Sequence, residues 1–354
     1  MRAAPLLTVL VAFGFAGCGE ESSDASDDTA AAINAKHLRY KQVDITAGPA
    51  NLDGWFPRGL SDHGDVIGQA FDCNEDFTIC LQFAVKRRTD GGFTVLEENF
   101  LVNDVNSRGD AGGCTTVPGS PFAGQAGIVR ANGTLELIPP LPGEMSSCVN
   151  NLSDSGVAFV SSTDPDFETT VYVLDRGRRL PFPVVNVNVA DINDHAQLAG
   201  IQFTTPNRAY RFDARAQATT ILQPVAPDPE SWGFALNRQG EVLGTSFNFD
   251  GTIQRIGKWN RKNEFETSLI GGTANPEFPV ITNNLNWNER GLIVLSNTDD
   301  GNAYLVPSPG VRLNLADLVK NPPVASFLQV IDVNERADIV ASGGEGMVFL
   351  FRRD

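Results

Sequence analysis

The chain has 354 residues, among them 34 glycines, 21 prolines, 22 phenylalanines and 3 histidines, and its 43 acidic and 27 basic side chains give a formal net charge of −16. A charge of that sign repels nucleic acid and anionic lipid headgroups, so both are disfavoured as partners of the folded part. The glycine and proline content favours a turn-dense fold over long helices, and the scarcity of histidine leaves little material for metal or acid–base chemistry.

The first residues predict an export signal. Arg2 is followed by an apolar stretch over 6–15, which is too short to cross a membrane as a mature helix but long enough for a signal-peptide core. It ends in Phe-Ala-Gly-Cys, which resembles the lipobox of bacterial lipoproteins, where the cysteine, here Cys18, is acylated and becomes the mature N-terminus. The resemblance predicts a lipoprotein signal peptide over 1–17. The alternative is an ordinary signal peptide in which Cys18 is incidental.

An acidic, disordered tether is predicted over 18–36. Residues 19–32 are mostly Ser, Asp, Glu and Ala and include no large apolar side chain, so they cannot bury enough surface to fold. A tether of this kind lets a lipid-anchored domain stand off the membrane. Because Gly19 rather than an aspartate follows the cysteine, the lipoprotein resemblance implies an outer-membrane or cell-surface location if the cell is Gram-negative.

A nine-residue pattern recurs in the rest of the chain. Each copy has an apolar residue, Asn or Ser, two polar residues, Gly or Ala, and a short apolar run. The copies span 60–68, 105–113, 152–160, 192–200, 236–244, 287–295 and 333–341. The period of about 45 residues is that of four short strands with their loops, the size of a propeller blade.

The pattern also predicts the strands of each blade. Its polar centre favours a tight turn and its apolar flanks favour strands, so each copy is expected to form a β-hairpin. A third strand follows, with two large apolar residues spaced to share one face of the sheet. These pairs are Phe83/Val85, Tyr172/Leu174, Tyr210/Phe212, Tyr304/Val306 and Phe349/Phe351. Fourth strands are predicted over 92–99, 133–140 and 310–318.

The two ends of the repeat region complement each other. The seventh copy stops after its third strand, 346–353, while residues 39–48 have the character of an unpaired fourth strand. If that segment completes the last blade, no sheet edge is left bare. We therefore predict an all-β fold over 37–354, a seven-bladed β-propeller of four-stranded antiparallel blades closed by an N-terminal strand. An open solenoid or two separate domains are the alternatives.

The repeats resemble the HAF-type extracellular repeat, in which a Leu/Ile-Asn-Asp-x-Gly-x-Val-x-Gly hairpin precedes an Ala-aromatic strand. The copies INDHAQLAG at 192–200, followed by RAYRF, and LNRQGEVLG at 236–244, followed by GKW, are the most similar to that pattern. The resemblance implies export and a propeller-like fold. It implies no defined activity and no catalytic residue.

Apart from Cys18, four cysteines remain, and an even number in an exported chain predicts two disulfides with three possible pairings. Cys73 and Cys80 lie in one loop of the first blade and are expected to close it. Cys114 follows the second strand of the second blade, and Cys148 begins the first strand of the third. In an up-and-down blade those two positions lie on the same face, so this pair can form across neighbouring blades.

The two faces of the ring are predicted to differ. Loops between second and third strands are long and uneven, at 71–80, 114–125, 162–170 and 297–302. We call their side the long-loop face and the side of the repeated turns the short-turn face. Binding residues concentrate on loops held by a rigid scaffold, so a protein or glycan ligand is expected on the long-loop face. Trp232, Trp259 and Trp287 can stack on sugars if exposed; the alternative is packing between blades, and Trp259 matches a buried repeat position.

Candidate chemistry is sparse. His63 and His195 each follow an aspartate, but both occupy one turn position of the repeat, which favours exposed turn residues over catalysis. Asp299, Asp300 and Asn302 are candidate calcium ligands, as are the acidic residues of 164–168, although neither loop has the full spaced set of six to eight oxygens that calcium prefers. Solvated acidic loops are the alternative.

No catalytic or phosphate-binding motif is found, so neither a cofactor nor enzymatic activity is predicted. The expected function is a lipid-anchored, non-enzymatic module that binds a protein or glycan. A polysaccharide-acting propeller enzyme and a structural or assembly lipoprotein are the alternatives.

Overall fold

A computed structural model describes residues 38–75, 80–116, 124–248, 253–271, 285–296, 300–320 and 328–354. The predicted signal peptide at 1–17, Cys18, the tether at 18–36 and the calcium candidate Asp299 lie outside the described residues. Within these segments, helices are limited to short 3-10 turns, and no helix has the length and apolar character needed to cross a membrane.

The described strands form seven antiparallel sheets, which are the seven predicted blades. Blade 1 consists of β2 (Gly54–Leu60), β3 (Val66–Cys73), β4 (Cys80–Arg87) and β5 (Phe93–Glu98), and blade 2 of β6 (Phe100–Val105), β7 (Ala111–Thr115), β8 (Ala126–Val129) and β9 (Leu135–Ile138). Blade 3 consists of β10 (Ser146–Leu152), β11 (Ala158–Thr163), β12 (Thr169–Asp175) and β13 (Arg178–Pro181), and blade 4 of β14 (Val187–Ile192), β15 (Gln197–Gln202), β16 (Arg208–Asp213) and β17 (Ala218–Leu222). Blade 5 consists of β18 (Glu230–Leu236), β19 (Val242–Phe247), β20 (Gln254–Trp259) and β21 (Phe265–Gly271), and blade 6 of β22 (Leu285–Trp287), β23 (Ile293–Ser296), β24 (Ala303–Ser308) and β25 (Val311–Asn314). Blade 7 consists of β26 (Leu328–Val333), β27 (Ile339–Gly343), β28 (Val348–Arg353) and β1 (Tyr40–Asp44).

The first strand of every blade contacts the first strands of both neighbouring blades. These seven strands therefore surround the central axis, and the fourth strands lie at the rim. Each first strand runs from the long-loop face to the short-turn face, where the repeated turn leads into the second strand. The core lies between adjacent blades as a series of apolar clusters rather than as one central mass.

The N-terminal strand closes the ring, as predicted. β1 pairs antiparallel with β28, so that Tyr40 lies opposite Arg353, and the ladder continues through the Ile45 N–H, which donates to the Val348 carbonyl at 2.9 Å. Leu38, Tyr40 and Ile45 are all buried against neighbouring blades. Because β1 fills the outer edge of blade 7, that blade has four strands like the others.

The repeated turns need an unusual backbone conformation. All seven turn positions have positive φ, from 60° at Ala196 to 85° at Gly156. A positive φ strains residues with a bulky side chain but not glycine, which explains why five copies have glycine at this position and the other two have alanine.

The asparagine of the repeat both shapes its own turn and joins blades. Asn334 accepts hydrogen bonds at Oδ1 from the backbone N–H groups of Arg336 and Asp338, at 3.1 and 2.9 Å. Its side-chain amide donates across the closure to the Ser61 carbonyl at 3.0 Å. Asn106, Asn193 and Asn288 make the corresponding bond to the next blade. Blades are thus fastened to one another by the same residue that makes the hairpin turn.

Several predicted strands are shorter than expected: the segment at 133–140 contains β9, Leu135–Ile138, and the segment at 39–48 contains β1, Tyr40–Asp44. The fourth strand of blade 6 ends at Asn314 rather than continuing to 318, and Leu315–Leu318 form a 3-10 helix. The Asn314 side chain accepts from the Ala316 N–H at 2.9 Å and so caps this helix. Leu315 and Leu318 stay buried in the helical turn, so the apolar pattern suits either structure. A second 3-10 turn spans Gly344–Gly346.

Both predicted disulfides form. Cys73 and Cys80 lie directly opposite each other at the ends of β3 and β4 and close the loop between them. Cys114 of β7 and Cys148 of β10 join blade 2 to blade 3. Disulfides persist in oxidising compartments, so the two bonds indicate a protein that folds outside the cytoplasm.

Candidate functional site

The long-loop end of the central channel carries the most accessible side chains of the inner strands. In β18, Trp232 and Phe234 are partly exposed while the residues between and beside them are buried. β2 shows the same alternation, and there Phe56 is 56% exposed. Because the first strands surround the axis, these open positions face the channel. We call the set of partly exposed first-strand side chains toward the long-loop face the channel mouth.

Two aromatic pairs flank the channel mouth. The rings of Trp232 and Phe247 meet edge to face, with centroids 5.1 Å apart and planes at 84°. Phe56 and Phe71 form a similar pair in blade 1, with centroids 5.8 Å apart. Phe71 and Phe247 occupy equivalent positions, three residues after the glycine of their second strands. The pairs therefore repeat one arrangement at two blades of the ring.

Only one of the three tryptophans proposed as sugar contacts reaches the channel. Trp259 is 0% exposed and Trp287 is 6% exposed, so both pack between blades, as the alternative interpretation stated. The indole N–H of Trp259 donates to the Gln223 carbonyl at 2.8 Å, and that of the buried Trp55 donates to the Ile45 carbonyl at 3.0 Å. Trp232 differs, because its N–H has no hydrogen-bond partner among the described residues. Its indole ring packs edge to face against the rings of Phe234 and Phe247.

Amide side chains are repeated among the polar groups of the channel mouth. Those of Asn150, Asn188 and Gln329 are partly exposed and form no hydrogen bond with any described residue. Asn103, by contrast, is engaged, since its amide donates to the Val149 carbonyl at 2.8 Å. Three amides of the channel mouth are therefore open to solvent.

The short-turn end of the channel is acidic. Five carboxylates surround it at the position after the repeat's Asn or Ser: Asp62, Asp154, Asp194, Glu289 and Glu335. Each accepts a backbone N–H from the preceding blade, with distances of 2.6 to 2.9 Å. Burial is the main cause that raises the pKa of Asp154 and of Glu335 to about 7, and repulsion from neighbouring carboxylates adds to it.

A second set of acids lies within the first strands. Asp104, Asp191 and Asp332 each follow a β-bulge and are fully buried. Each accepts one N–H from its own strand and one from the next blade, and the interblade bonds, to the N–H groups of Leu152, Leu236 and Leu60, measure 2.6 to 2.8 Å. Burial raises the pKa of Asp104 to about 7 and the pKa of the other two well above the usual range. These acids fasten blades together.

The remaining sequence candidates have local roles. His63 and His195 are exposed on short turns, as predicted for turn residues. Asp300 accepts the Tyr304 hydroxyl at 2.5 Å and the Asn302 backbone N–H at 2.9 Å, so both of its oxygens are engaged within its own loop. Asp164 likewise accepts two backbone N–H groups of its own turn. In the described part of the chain, no three His, Cys, Asp or Glu side chains are close enough to hold a metal ion.

An open cleft of about 500 Å³ lies on the short-turn face between blades 2 and 3. Its central guanidinium, Arg130, is already paired with Glu136 and Asp110 at 2.6 and 3.0 Å. Hydrogen bonding to Arg130 is the main cause that lowers the pKa of Glu136. The charges of this cleft therefore neutralise one another, and the channel mouth is the stronger candidate site.

The fold and site define a seven-bladed β-propeller whose channel is aromatic and amide-rich at one end and acidic at the other. No family model and no curated protein matches the chain. Among solved structures, virginiamycin B lyase from Staphylococcus aureus is 12% identical over 89% of this chain and 99% of its own, with a TM-score of 0.50. A catalytically inactive variant of that lyase, with quinupristin, is 13% identical, covers 88% and 99%, and has a TM-score of 0.52. Acylaminoacyl peptidase from Pyrococcus horikoshii is 10% identical over 91% of this chain and 53% of its own, with a TM-score of 0.56. At such identities the similarity shows the fold alone.

Proposed function

We propose that the chain is an exported lipoprotein of the HAF-repeat type whose propeller binds a protein or glycan at the channel mouth and does not catalyse a reaction. The observation that carries this proposal is the combination of exposed aromatic rings and open amides on the innermost strands. Ligand sites typically pair apolar and aromatic surface with a few well-placed polar groups. β18 pairs with β19 from Glu230 to Leu236, so the backbone that carries Trp232 is held in the sheet.

The distribution of ionisable groups supports binding rather than catalysis. General acid–base catalysis needs a titratable side chain within reach of the bound ligand. Glu230, at the long-loop end of β18, is buried and accepts the Asn207 backbone N–H of blade 4 at 3.3 Å. The other described first-strand carboxylates lie toward the short-turn end and accept backbone N–H groups of neighbouring blades. At the channel mouth the described side chains are aromatic, aliphatic or amide, apart from Arg58, Ser146 and the disulfide-bonded Cys148.

The lipid anchor is part of the proposal and has its own test. The Phe-Ala-Gly-Cys sequence ending at Cys18 supports it, and the disulfides support export. The full chain and a Cys18→Ala variant, each expressed in bacteria supplied with radiolabelled palmitate, separate the two kinds of signal peptide. The wild-type chain should carry label and sediment with membranes, and the variant should carry none. An unlabelled wild-type chain would exclude the anchor.

Binding is tested with the detergent-solubilised full chain on glycan and peptide arrays. We expect at least one class of probe to be retained, and a Trp232→Ala variant to lose it. Chromatography of the retained probe after prolonged incubation checks for turnover. Release of hydrolysis or elimination products would contradict a non-enzymatic role, and retention that is indifferent to Trp232 would contradict the location of the site.

A further inference from the structure

The chemistry of the channel mouth also indicates what class of ligand it suits. We propose that the ligand is a neutral glycan, recognised by stacking on Trp232 and by hydrogen bonds to the open amides. This inference rests on the proposed function and narrows its two ligand classes to one.

Stacking is the first reason. The faces of aromatic rings carry partial negative charge, and the C–H groups of a sugar ring carry partial positive charge, so the two attract when they stack. Trp232 has the largest such face at the channel mouth. Its edge-to-face contact with Phe247 orients the ring while leaving part of its surface exposed. Phe56, 56% exposed in blade 1, offers a second face elsewhere on the same ring of strands.

Within the described part of the chain, Trp232 also lacks the indole N–H hydrogen bond that the buried tryptophans Trp55 and Trp259 form. Trp55 and Trp259 each donate their indole N–H to a backbone carbonyl. A buried Trp usually finds such a partner. The Trp232 N–H finds none among the described residues, although it is shielded from solvent. A large aromatic side chain that is neither fully buried nor anchored contributes less to folding than its size allows, which favours a role in binding.

Hydrogen-bonding capacity is the second reason. Each amide side chain can donate two hydrogen bonds and accept two, which matches the hydroxyl groups of a sugar, themselves donors and acceptors. Asn188 and Gln329 are partly exposed in β14 and β26, and their side-chain amides form no hydrogen bond with described residues. Asn150 adds a third amide from β10. The amides thus come from three blades and can contact several sugar units.

Charge is the third reason. The chain carries a net charge of −16, yet the partly exposed first-strand side chains described at the channel mouth include no acid and one cation, Arg58, and the nearby Glu230 is buried. Five carboxylates surround the opposite end. An acidic polysaccharide would be repelled by the net charge of the protein, which the single guanidinium of Arg58 offsets only locally. A cationic one would find its complementary carboxylates at the short-turn end rather than beside Trp232. Hydroxyl groups without charge fit the aromatic and amide surface.

The test measures binding of defined soluble polysaccharides to the detergent-solubilised full chain by affinity electrophoresis and calorimetry. Neutral probes are laminarin, galactomannan and hydroxyethyl cellulose; alginate and chitosan oligomers are the acidic and cationic probes, and a proline-rich peptide library represents protein ligands. We expect binding of at least one neutral probe. Trp232→Ala should weaken that binding by roughly 10-fold or more, because stacked area and ring attraction are both lost. Trp232→Phe should retain most of it.

Ile270→Ala is the matched control, because Ile270 is 52% exposed on the outermost strand of the same blade. Its binding should equal that of the wild-type chain. Thermal unfolding checks that each variant is folded. If Trp232→Ala does not fold, Asn188→Ala and Gln329→Ala replace it, because those side chains have no hydrogen bonds to lose, and each should weaken binding several-fold.

The outcomes separate the two proposals. Binding of only alginate, chitosan or peptides, lost in the Trp232→Ala variant, would overturn the neutral-glycan inference and leave the channel-mouth binding function intact. Binding that no channel-mouth variant weakens, or no binding of any probe, would overturn both. Binding of a neutral glycan that depends on Trp232 supports both.

Discussion

The buried aspartates of the first strands predict an unusual dependence of stability on pH. A carboxyl whose pKa is raised in the folded state keeps its proton there at pH values where the unfolded chain has released it. For Asp104, the pKa is about 7 in the folded protein, against about 4 in an unfolded chain. The contribution of Asp104 to the free energy of unfolding is therefore fully present below about pH 4 and is lost as the pH rises through 7. The three-unit difference corresponds to about 4 kcal/mol of unfolding free energy.

Asp104→Asn removes this titration without removing the acceptor oxygen. Asparagine already occupies the equivalent position in two other blades, as Asn151 and Asn286, and each donates there to the next blade. The variant should fold, although an amide left without a partner would lower its stability by about 1–3 kcal/mol at every pH. The informative quantity is therefore the slope of stability against pH, not its absolute value.

The assay is denaturant unfolding at pH 5, 6, 7 and 8. The wild-type protein should be most stable at pH 5 and lose several kcal/mol by pH 8, and Asp104→Asn should reduce that loss by about 2–3 kcal/mol, the part of the Asp104 titration that falls between these pH values. Asp166→Asn, on an exposed loop, is the control and should leave the slope unchanged. A wild-type protein that is more stable at pH 8 than at pH 5, or an Asp104→Asn variant with the wild-type slope, would refute the reasoning.

Three further predictions concern the stability of the ring. Replacing Cys114 and Cys148 with alanine should lower the free energy of unfolding by about 4 kcal/mol, and replacing Cys73 and Cys80 should lower it by about 2–3 kcal/mol. The first pair closes the longer loop, since its sequence separation is 34 against 7 for the second. Denaturant titration measures both changes. A chain that begins at residue 49 lacks β1 and three buried apolar side chains, whose burial contributes roughly 5–9 kcal/mol together. The outer edge of blade 7 is then bare, so size-exclusion chromatography should show aggregation. A stable monomer would contradict the role of ring closure. Asn334→Ala should cost about 1–3 kcal/mol, since both the turn and the bond to the next blade are lost, and an unchanged melting temperature would show that those bonds are dispensable.

The sequence predicted the architecture because its signal is local and repeated. The positive φ of the turn is required by geometry within nine residues, so Gly64 and Ala337 report it without knowledge of the rest of the chain. Ring closure followed from matching an incomplete last repeat with a spare first strand, and β1 confirmed it. The pairing of Cys114 with Cys148 followed in turn from strand direction.

The site was less accessible to prediction. Period-two alternation shows that the residues on either side of Gly233 share a face, but not that this face opens to the channel, because that depends on the neighbouring blades. The buried acids were missed for the same reason: Asp191 is perturbed by burial between blades, and its acceptor bond reaches Leu236, 45 residues away. A signal was present, since three copies place an aspartate just before the apolar residue that opens the repeat. The end of β25 at Asn314 depended on a capping bond that competes with strand formation.

The direction of β1 has a consequence for orientation at a surface. Tyr40 lies beside Arg353, near the short turns, and the strand then climbs toward the long loops. Leu38 and Arg39, the described residues before β1, therefore lie toward the short-turn side. If Cys18 carries a lipid, as proposed, the attachment to the membrane would begin on the side of the ring that carries the short-turn carboxylates, away from Trp232. Repulsion between those carboxylates and anionic lipid headgroups would disfavour contact between the short-turn face and the membrane.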